Sequence, residues 1–401
     1  MKKYTYVDLL ERLVCLKDLA IPPEEGEQSG CFSSYDRRSQ YQPESRKYID
    51  WGANNDGDGY LYRQSDGVVA FEMDGPGVIW RAWSANPCGG HIRIFLDGSA
   101  LPVIDMPFRD FFERYDADNT QLWPGNYPQL VPTLSRGKNR FIPISFQKGC
   151  KITLAEGWGA FYHFTYTKFA ADTQVPTYNA ALGREHQMRL REIDRQLAMR
   201  GYLHHAGEMM WNSITCEGGE DTIVYEDENP GALTCISVSA NDPKELENLI
   251  LEVCWDGESS PSVLCPLPRF FSCIEESTPF RCLPISKSAK EYSSFWYMPY
   301  DRARIVLKNR QSSPITLSFG YHKETLSIQE ADSMMRFCAL THGDDFEGLD
   351  VSRFQKEGDR WPDWPVLRCK GRGRFCGMHL SVDDRWDESV GEAINWWWGR
   401  G

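Results

Sequence analysis

The stretch "SSYDRRSQYQPESRKYIDWGANNDGDGY", residues 33–60, gathers Asp, Arg, Asn and Gly with almost no aliphatic residue between them. That composition belongs to a loop. Its Asp36, Arg37, Asn55 and Asp56 are side chains of the kind that bind sugar hydroxyls through paired hydrogen bonds, and loops on rigid scaffolds carry many binding sites. Asp36 and Arg37 equally suit an ion pair that holds the loop, and both readings stay open. Asn54, Asp56, Asp58 and Gly59 match the start of an EF-hand loop, yet the twelfth position from Asn54 is Ser65 instead of Glu, and no helices flank it. A turn held by Asx side chains is the better reading, so no metal is expected.

Hydrolysis of a glycoside needs two carboxylates flanking the scissile bond, about 5 Å apart for retention and wider for inversion. With 57 acidic residues, spacing alone does not select that pair. Glu258, in "WDGESSP", is a catalytic candidate only because it sits beside a strand end. No nucleophile elbow, HExxH, phosphate loop or CxxC occurs, so no cofactor and no zinc site are expected.

The elements that must position such a loop show in an internal repeat. "DGSALPVIDMPFRDFF" at 97–112 and "DGESSPSVLCPLPRFF" at 256–271 align without a gap at an offset of 159, sharing Asp-Gly, two prolines and Phe-Phe. Glu258 corresponds to Ser99 in the first copy, so the repeat itself does not require a carboxylate there. Around both copies run short β-rich segments cut by Gly, Pro and Asn-Asp turns, with a longer connection in the second. The pattern predicts a mostly β protein: tandem jelly-roll-like antiparallel β-sandwiches, a bridging helix and an incomplete third β unit. The expected division is an N-terminal helix and linker over 1–30, a first sandwich over 31–175, a helical linker over 176–212, a second sandwich over 213–330 and a partial unit over 331–401. The bridging helix is "ALGREHQMRLREIDRQLAMRG", with Leu190, Ile193 and Leu197 as its stripe and Glu185 four residues before Arg189. At the N-terminus Leu9, Leu13, Leu16 and Ala20 fall on one helical face, ended by Pro22-Pro23.

Composition bounds the class. The net charge of −13 argues against nucleic acid, no apolar run spans a bilayer, and charges interrupt any leader-like stretch at the N-terminus. The 13 cysteines, an odd number without close pairs, are expected to be reduced and mostly buried in a cytoplasmic protein. The 14 tryptophans serve packing or stack on the C–H faces of sugars. Trp397, in the closing "WWWGRG", joins the substrate-binding candidates on that second ground.

Taken in order, "FSSYDR…NNDGDGY", "GPGVIWRAWSANPCGGHIRIFLDG", "RFIPISFQKGCKI", "CWDGESSPSV", "YMPYDRARIVLKN" and "GRGRFCGMHLSVDD…WWWG" resemble the domain-of-unknown-function family 2961, now associated with glycoside hydrolase family 172. The resemblance runs from about residue 32 to 401. It implies tandem jelly rolls in homo-oligomers, trimers or hexamers, and exo-acting hydrolysis or transfer of terminal α-D-fructofuranosyl or D-arabinofuranosyl groups from an oligosaccharide or glycan. It also implies sites near protomer interfaces, with the "SSYDR" loop as a contributor. The family's two glutamates follow its tryptophans. Here Arg400 stands where the first is expected, and arginine cannot serve as acid, base or nucleophile. Three readings follow, in this order: a piece of a longer enzyme, a non-catalytic relative that binds furanose glycans or builds an oligomeric jelly-roll structure, or an enzyme using another carboxylate pair that includes Glu258.

Overall fold

The computed structural model of the chain describes residues 2–38, 40–42, 44, 47–49, 56–113, 127–200, 208–273, 279–343, 366–367 and 369–380. Short strands alternate with turns throughout. The first group comprises β1 (Gln28–Ser33), β2 (Tyr62–Gln64), β3 (Gly67–Asp74), β4 (Gly77–Ser84), β5 (His91–Leu96), β6 (Ile104–Pro107), β7 (Thr133–Leu134), β8 (Gly137–Arg140), β9 (Ile144–Phe146), β10 (Gly149–Leu154) and β11 (His163–Lys168). They pair antiparallel in two layers, β1-β11-β4-β8-β7 with β9 also on β4, and β2-β3-β10-β5-β6. The second group comprises β12 (Met210–Cys216), β13 (Asp221–Asp227), β14 (Gly231–Ser239), β15 (Leu249–Trp255), β16 (Val263–Pro266), β17 (Phe280–Arg281), β18 (Ile285–Lys287), β19 (Glu291–Ser294), β20 (Met298–Tyr300), β21 (Ala303–Asn309) and β22 (Ile315–Thr325). Its layers are β12-β22-β14-β19-β18-β17, with β20 on β14, and β13-β21-β15-β16.

Apart from the end strands β2 and β17, which have no counterpart, the two orders are the same once β12 is set on β1, β13 on β3, β14 to β16 on β4 to β6, and β18 to β22 on β7 to β11. Even the irregularities repeat. In β4, Arg81 faces Thr165 and Ile79 faces Tyr166, leaving Trp80 bulged. In β14, Cys235 faces His322 and Leu233 faces Lys323, leaving Thr234 bulged at the same place. Bulges occupy defined places in a sheet, so their recurrence marks one architecture built twice. The mostly β, tandem sandwich fold is therefore present, each sandwich closing over its own apolar core.

The shared Asp-Gly turn shows why the repeat keeps those residues. Asp97 and Asp256 each adopt a left-handed φ of 55°, followed by Gly98 and Gly257 at 79° and 74°. Asp97 Oδ1 accepts from the amides of Lys148 (2.6 Å) and Gly149 (3.2 Å), and Asp256 Oδ1 accepts from those of Asp301 (2.8 Å) and Arg302 (3.1 Å). Each aspartate thus ties its own turn to the neighbouring hairpin. Asp97→Ala and Asp256→Ala are each expected to lower stability by about 1–2 kcal/mol, read from the midpoint of urea unfolding.

The bridging helix α2 (Arg184–Ala198) buries Leu190 and Ile193 against the first core, and Asp194 accepts the amides of Gln129 (2.8 Å) and Leu130 (3.0 Å). Arg189 does not pair with Glu185. It bonds Glu192 (2.6 Å) and, across to the N-terminal helix, Glu11, because packing of two helices offers a carboxylate nearer than the helix's own surface does.

The N-terminal segment also departs from expectation. One continuous helix is replaced by α1 (Tyr6–Glu11), capped by Thr5 and Asp8, and a 3₁₀ turn at Leu16–Ala20. Leu9 and Leu10 enter the first core, whereas Ala20 packs with Ala232, Tyr297, Leu326 and Ala331 on the second unit. The chain breaks its helix to touch both sandwiches. None of the 13 cysteines is in a disulfide, but only Cys150, Cys216, Cys235, Cys265 and Cys273 are buried, fewer than expected, because several sit on outward sheet faces or in loops. Among the described residues no helix is long and apolar enough to cross a membrane. The expected third unit falls largely outside the described residues, and residues 366–367 and 369–380 carry no strand.

Candidate functional site

The polar loop is tied down at its foot, where β1 ends. Ser34 donates its amide to Tyr162 O (3.1 Å), and its hydroxyl accepts from the Tyr162 amide (3.1 Å). Ser34 O in turn accepts from the amides of Gly57 (2.8 Å) and Gly59 (3.1 Å). A Cβ on Gly59 would stand 2.0 Å from Tyr35 O, so only glycine lets the two loop arms meet. Asp56 Oδ1 accepts from the Asp36 amide (2.7 Å), an Asx-type tie across the loop. Among the described residues no group of three or more His, Cys, Asp or Glu is placed to hold a metal ion. Asn54, Asn55 and Trp397 lie outside the described residues.

Asp36 is only 5% exposed. Its ionic partner is Arg38, not Arg37: Oδ2 accepts from Arg38 Nη2 (3.0 Å), and Oδ1 accepts from Arg38 Nε (3.2 Å) and the Arg38 amide (3.1 Å). The Asp36–Arg38 amide bond makes an Asx-type turn at residues 37–38, which brings the Arg38 side chain back onto the carboxylate. Arg37 makes other contacts. Its Nη2 donates to Ser33 O (2.9 Å), its Nη1 donates to Tyr35 O (3.3 Å), and its guanidinium lies 4.6 Å from the centre of the Tyr35 ring. Tyr35 is 53% exposed. The result is a stacked aromatic–guanidinium pair at the surface, held by two carbonyls.

Beside this pair, β1, β11, β4 and β8 bring Ser33, His163, Trp83 and Asn139 into one row across the sheet. Their neighbours Phe164 and Ala82 face the core, so the row lies on the other side of the sheet, where Ser33, His163 and Trp83 are half-buried and Asn139 is buried. The His163 ring packs 5.0 Å from that of Trp83. Burial, then the charge of Arg81, hold the His163 imidazolium down to a pKa of about 4, so the ring is neutral near pH 7. Arg81 Nε donates to Asn139 Oδ1 (3.0 Å), and Asn139 Nδ2 donates to Gly137 O (3.0 Å). The half-buried Trp83 and His163 rings and the Tyr35–Arg37 pair suit a neutral polyhydroxylated ligand, while Arg81 and Asn139, 6% and 3% exposed, are spent on each other and on the backbone. The sequence reading missed Tyr35, Arg81, Trp83, Asn139 and His163. Alternation in "GVIWRAWS" and "HFTYTK" marked which side chains share a face, but not which strands lie side by side.

Glu258 lies elsewhere. It is exposed, its Oε1 accepts from the Trp255 amide (3.0 Å) and its own amide donates to Trp255 O (3.0 Å). The carboxylate closes the Asp-Gly turn, and no catalytic role follows from its place. Nearby, Arg336 bridges Asp256 (2.5 Å) and Asp301 (3.2 Å). Burial lifts the Asp301 carboxyl above the usual range against the pull of Arg336, with Asp332 adding to the rise. One guanidinium between two carboxylates makes this a clamp on the segment after the second sandwich.

Two family models match the chain: "GH172 first beta-sandwich domain" over residues 25–186 and "GH172 domain-like" over residues 207–321, together well over half of its length. No curated protein matches it. Among solved structures, the major capsid protein P2 from bacteriophage PM2 is similar at 8% identity and a TM-score of 0.20, covering 75% of this chain and 99% of that one. So low a score carries no argument, and the fold rests on the strand pairing above.

Proposed function

This chain belongs to glycoside hydrolase family 172 and is glycoside hydrolase-like, and from that premise we propose that it binds terminal furanosides, α-D-fructofuranosyl or D-arabinofuranosyl groups, at the Ser33–Gly59 loop. The observation that carries the reading is the exposed Tyr35 ring stacked with Arg37, the two residues that flank the locked Asp36 in the chain. The exposed ring offers a face to sugar C–H groups, and Arg37 offers donors to ring hydroxyls. Asp36 acts as a positioning residue, because its oxygens are already held by Arg38 and its amide by Asp56.

The same reading makes turnover slow. Glu258 is committed to a turn, and the row beside the loop brings no carboxylate to the ligand. A homo-oligomer, trimer or hexamer, with the loop at a protomer interface, completes the proposal by analogy with the family.

The test is binding and turnover measured on one preparation. Calorimetric titration with methyl α-D-arabinofuranoside and difructose should show binding, which Arg37→Ala weakens about tenfold, equivalent to about 1.4 kcal/mol. Release of p-nitrophenol from the aryl α-D-arabinofuranoside should stay near background. Brisk release overturns the slow-turnover half of the reading. Absence of binding to either sugar overturns the furanoside half.

A further inference from the structure

The outward face of the second sandwich carries an aromatic feature that the loop site does not use. Trp211 lies on β12, at the edge of its sheet, directly opposite Gly320 on β22. Three carbons of the indole stand 2.7–2.8 Å from where a Gly320 Cβ would be. The ring therefore lies across the bare Cα of Gly320, and any side chain there would push it off. One face of the indole rests on the strand and the other is open, with Trp211 45% exposed.

The surroundings are hydroxyls. Along the same face, Ser213 sits opposite Ser318 and Thr215 opposite Thr316, whose hydroxyls bond each other at 3.0 Å. Ser237 continues the Trp211–Gly320 row on β14, but it and Ser293, bonded to each other at 2.8 Å, are 3% and 6% exposed, so the rim open to a ligand is Ser213, Thr215, Thr316 and Ser318. Met210, also exposed, belongs to the opposite side of the strand by alternation. The cores of protein–protein interfaces are rich in aromatic residues, Met and Arg and poor in Ser. A single flat indole among hydroxyls fits an amphipathic ligand that has one C–H face and a hydroxylated rim.

We propose that Trp211 and the hydroxyl rows beside it form a second carbohydrate-binding surface, which takes a stretch of polysaccharide chain and stacks one sugar ring on the indole. The site is confined to the second sandwich. In the first, the positions of Trp211 and Gly320 are held by Ser33 and His163. The inference rests on the glycoside hydrolase-like reading for its ligand class alone, and not on the loop site.

Affinity electrophoresis in native gels containing inulin, arabinan or xylan tests it. The wild-type chain should be retarded in at least one of them, and Trp211→Ala should weaken that retardation at least about fivefold. Trp211→Phe, which keeps a flat ring, should retain most of it. Calorimetric binding of methyl α-D-arabinofuranoside should be the same in Trp211→Ala as in wild type, which separates this surface from the loop. No retardation of the wild type in any of the three polysaccharides overturns the proposal. So does a folded Trp211→Ala chain retarded as strongly as wild type. A change in its size on gel filtration without a change in retardation also overturns it, and assigns the face to contact between copies of this chain.

Discussion

Replacing Glu27 with alanine is expected to cost about 3–5 kcal/mol of folding stability, the range for removing one partner of a buried ion pair. The Glu27 side chain is 3% exposed and lies between two guanidinium groups, Arg12 at 3.7 Å and Arg374 at 3.3 Å. Arg12 is itself packed among aromatic rings, 5.5 Å from Tyr4 and Trp80 and 5.7 Å from Phe169. Arg374, from the segment after the second sandwich, also donates Nε to Ile21 O at 2.9 Å. Glu27 thus fastens that segment to the start of the first sandwich. Alanine would leave two poorly hydrated cations facing each other. Urea unfolding should show the loss, and limited proteolysis should cut residues 369–380 faster than in wild type. Glu27→Gln, which keeps hydrogen bonding without the charge, should fall between the two. A Glu27→Ala chain within about 1 kcal/mol of wild type would show that the carboxylate fastens nothing.

The second large effect concerns a polar cluster inside the second sandwich. Asp227 Oδ2 accepts from Lys323 Nζ (2.7 Å), Tyr300 Oη (3.1 Å) and Tyr225 Oη (3.2 Å), and the two phenols lie 2.5 Å apart. The Asp227 side chain is 9% exposed. Burial raises its pKa, but Lys323, Asn229 and Tyr300 outweigh it and hold the carboxyl down to about 2. Burial pushes both tyrosines upward, so they stay protonated as donors. A carboxyl depressed in the folded state contributes stability above its unfolded pKa, near 3.8, and loses it as pH falls toward 2. That contribution is on the order of 2 kcal/mol at neutral pH.

The first sandwich fills the same place without charge. Phe71, Met73, Phe146 and Tyr166 stand where Tyr225, Asp227, Tyr300 and Lys323 stand in the second. Asp227→Ala should therefore cost about 1–3 kcal/mol at pH 7, since it strands two buried phenols, while the half-exposed Lys323 returns to water. The fourfold exchange to Phe, Met, Phe and Tyr should recover to within about 1 kcal/mol of wild type, because a well-packed apolar set often replaces a buried ion pair without loss. Urea midpoints at pH 7 and pH 3 check both. The fourfold variant should also lose the acid-dependent fall assigned to Asp227. A fourfold variant no more stable than Asp227→Ala would show that the two sandwiches are not interchangeable at this place.

By itself the sequence determined the repeat, and with it the β class, because Asp-Gly, proline and paired phenylalanines act locally: the first sets a left-handed turn, and the others bound a strand and fill the core beneath it. It also marked residues 33–60 as a loop and 184–198 as a helix, since composition and a 3.6-residue period are local too. Only the tertiary structure decided which partners meet. Arg38 instead of Arg37 holds Asp36 because the turn at residues 37–38 returns the Arg38 amide and guanidinium to that carboxylate. Trp83 meets His163, 80 residues on, because the register of β4 and β11 is set across the whole sheet. Glu258 closes a turn through the Trp255 amide, a bond set by the hairpin's backbone. The N-terminal helix breaks after Glu11 because two separate cores lie within its reach. Pairing over such distances is selected by packing and hydrogen-bond register summed over many strands, and no window of neighbouring residues contains that sum.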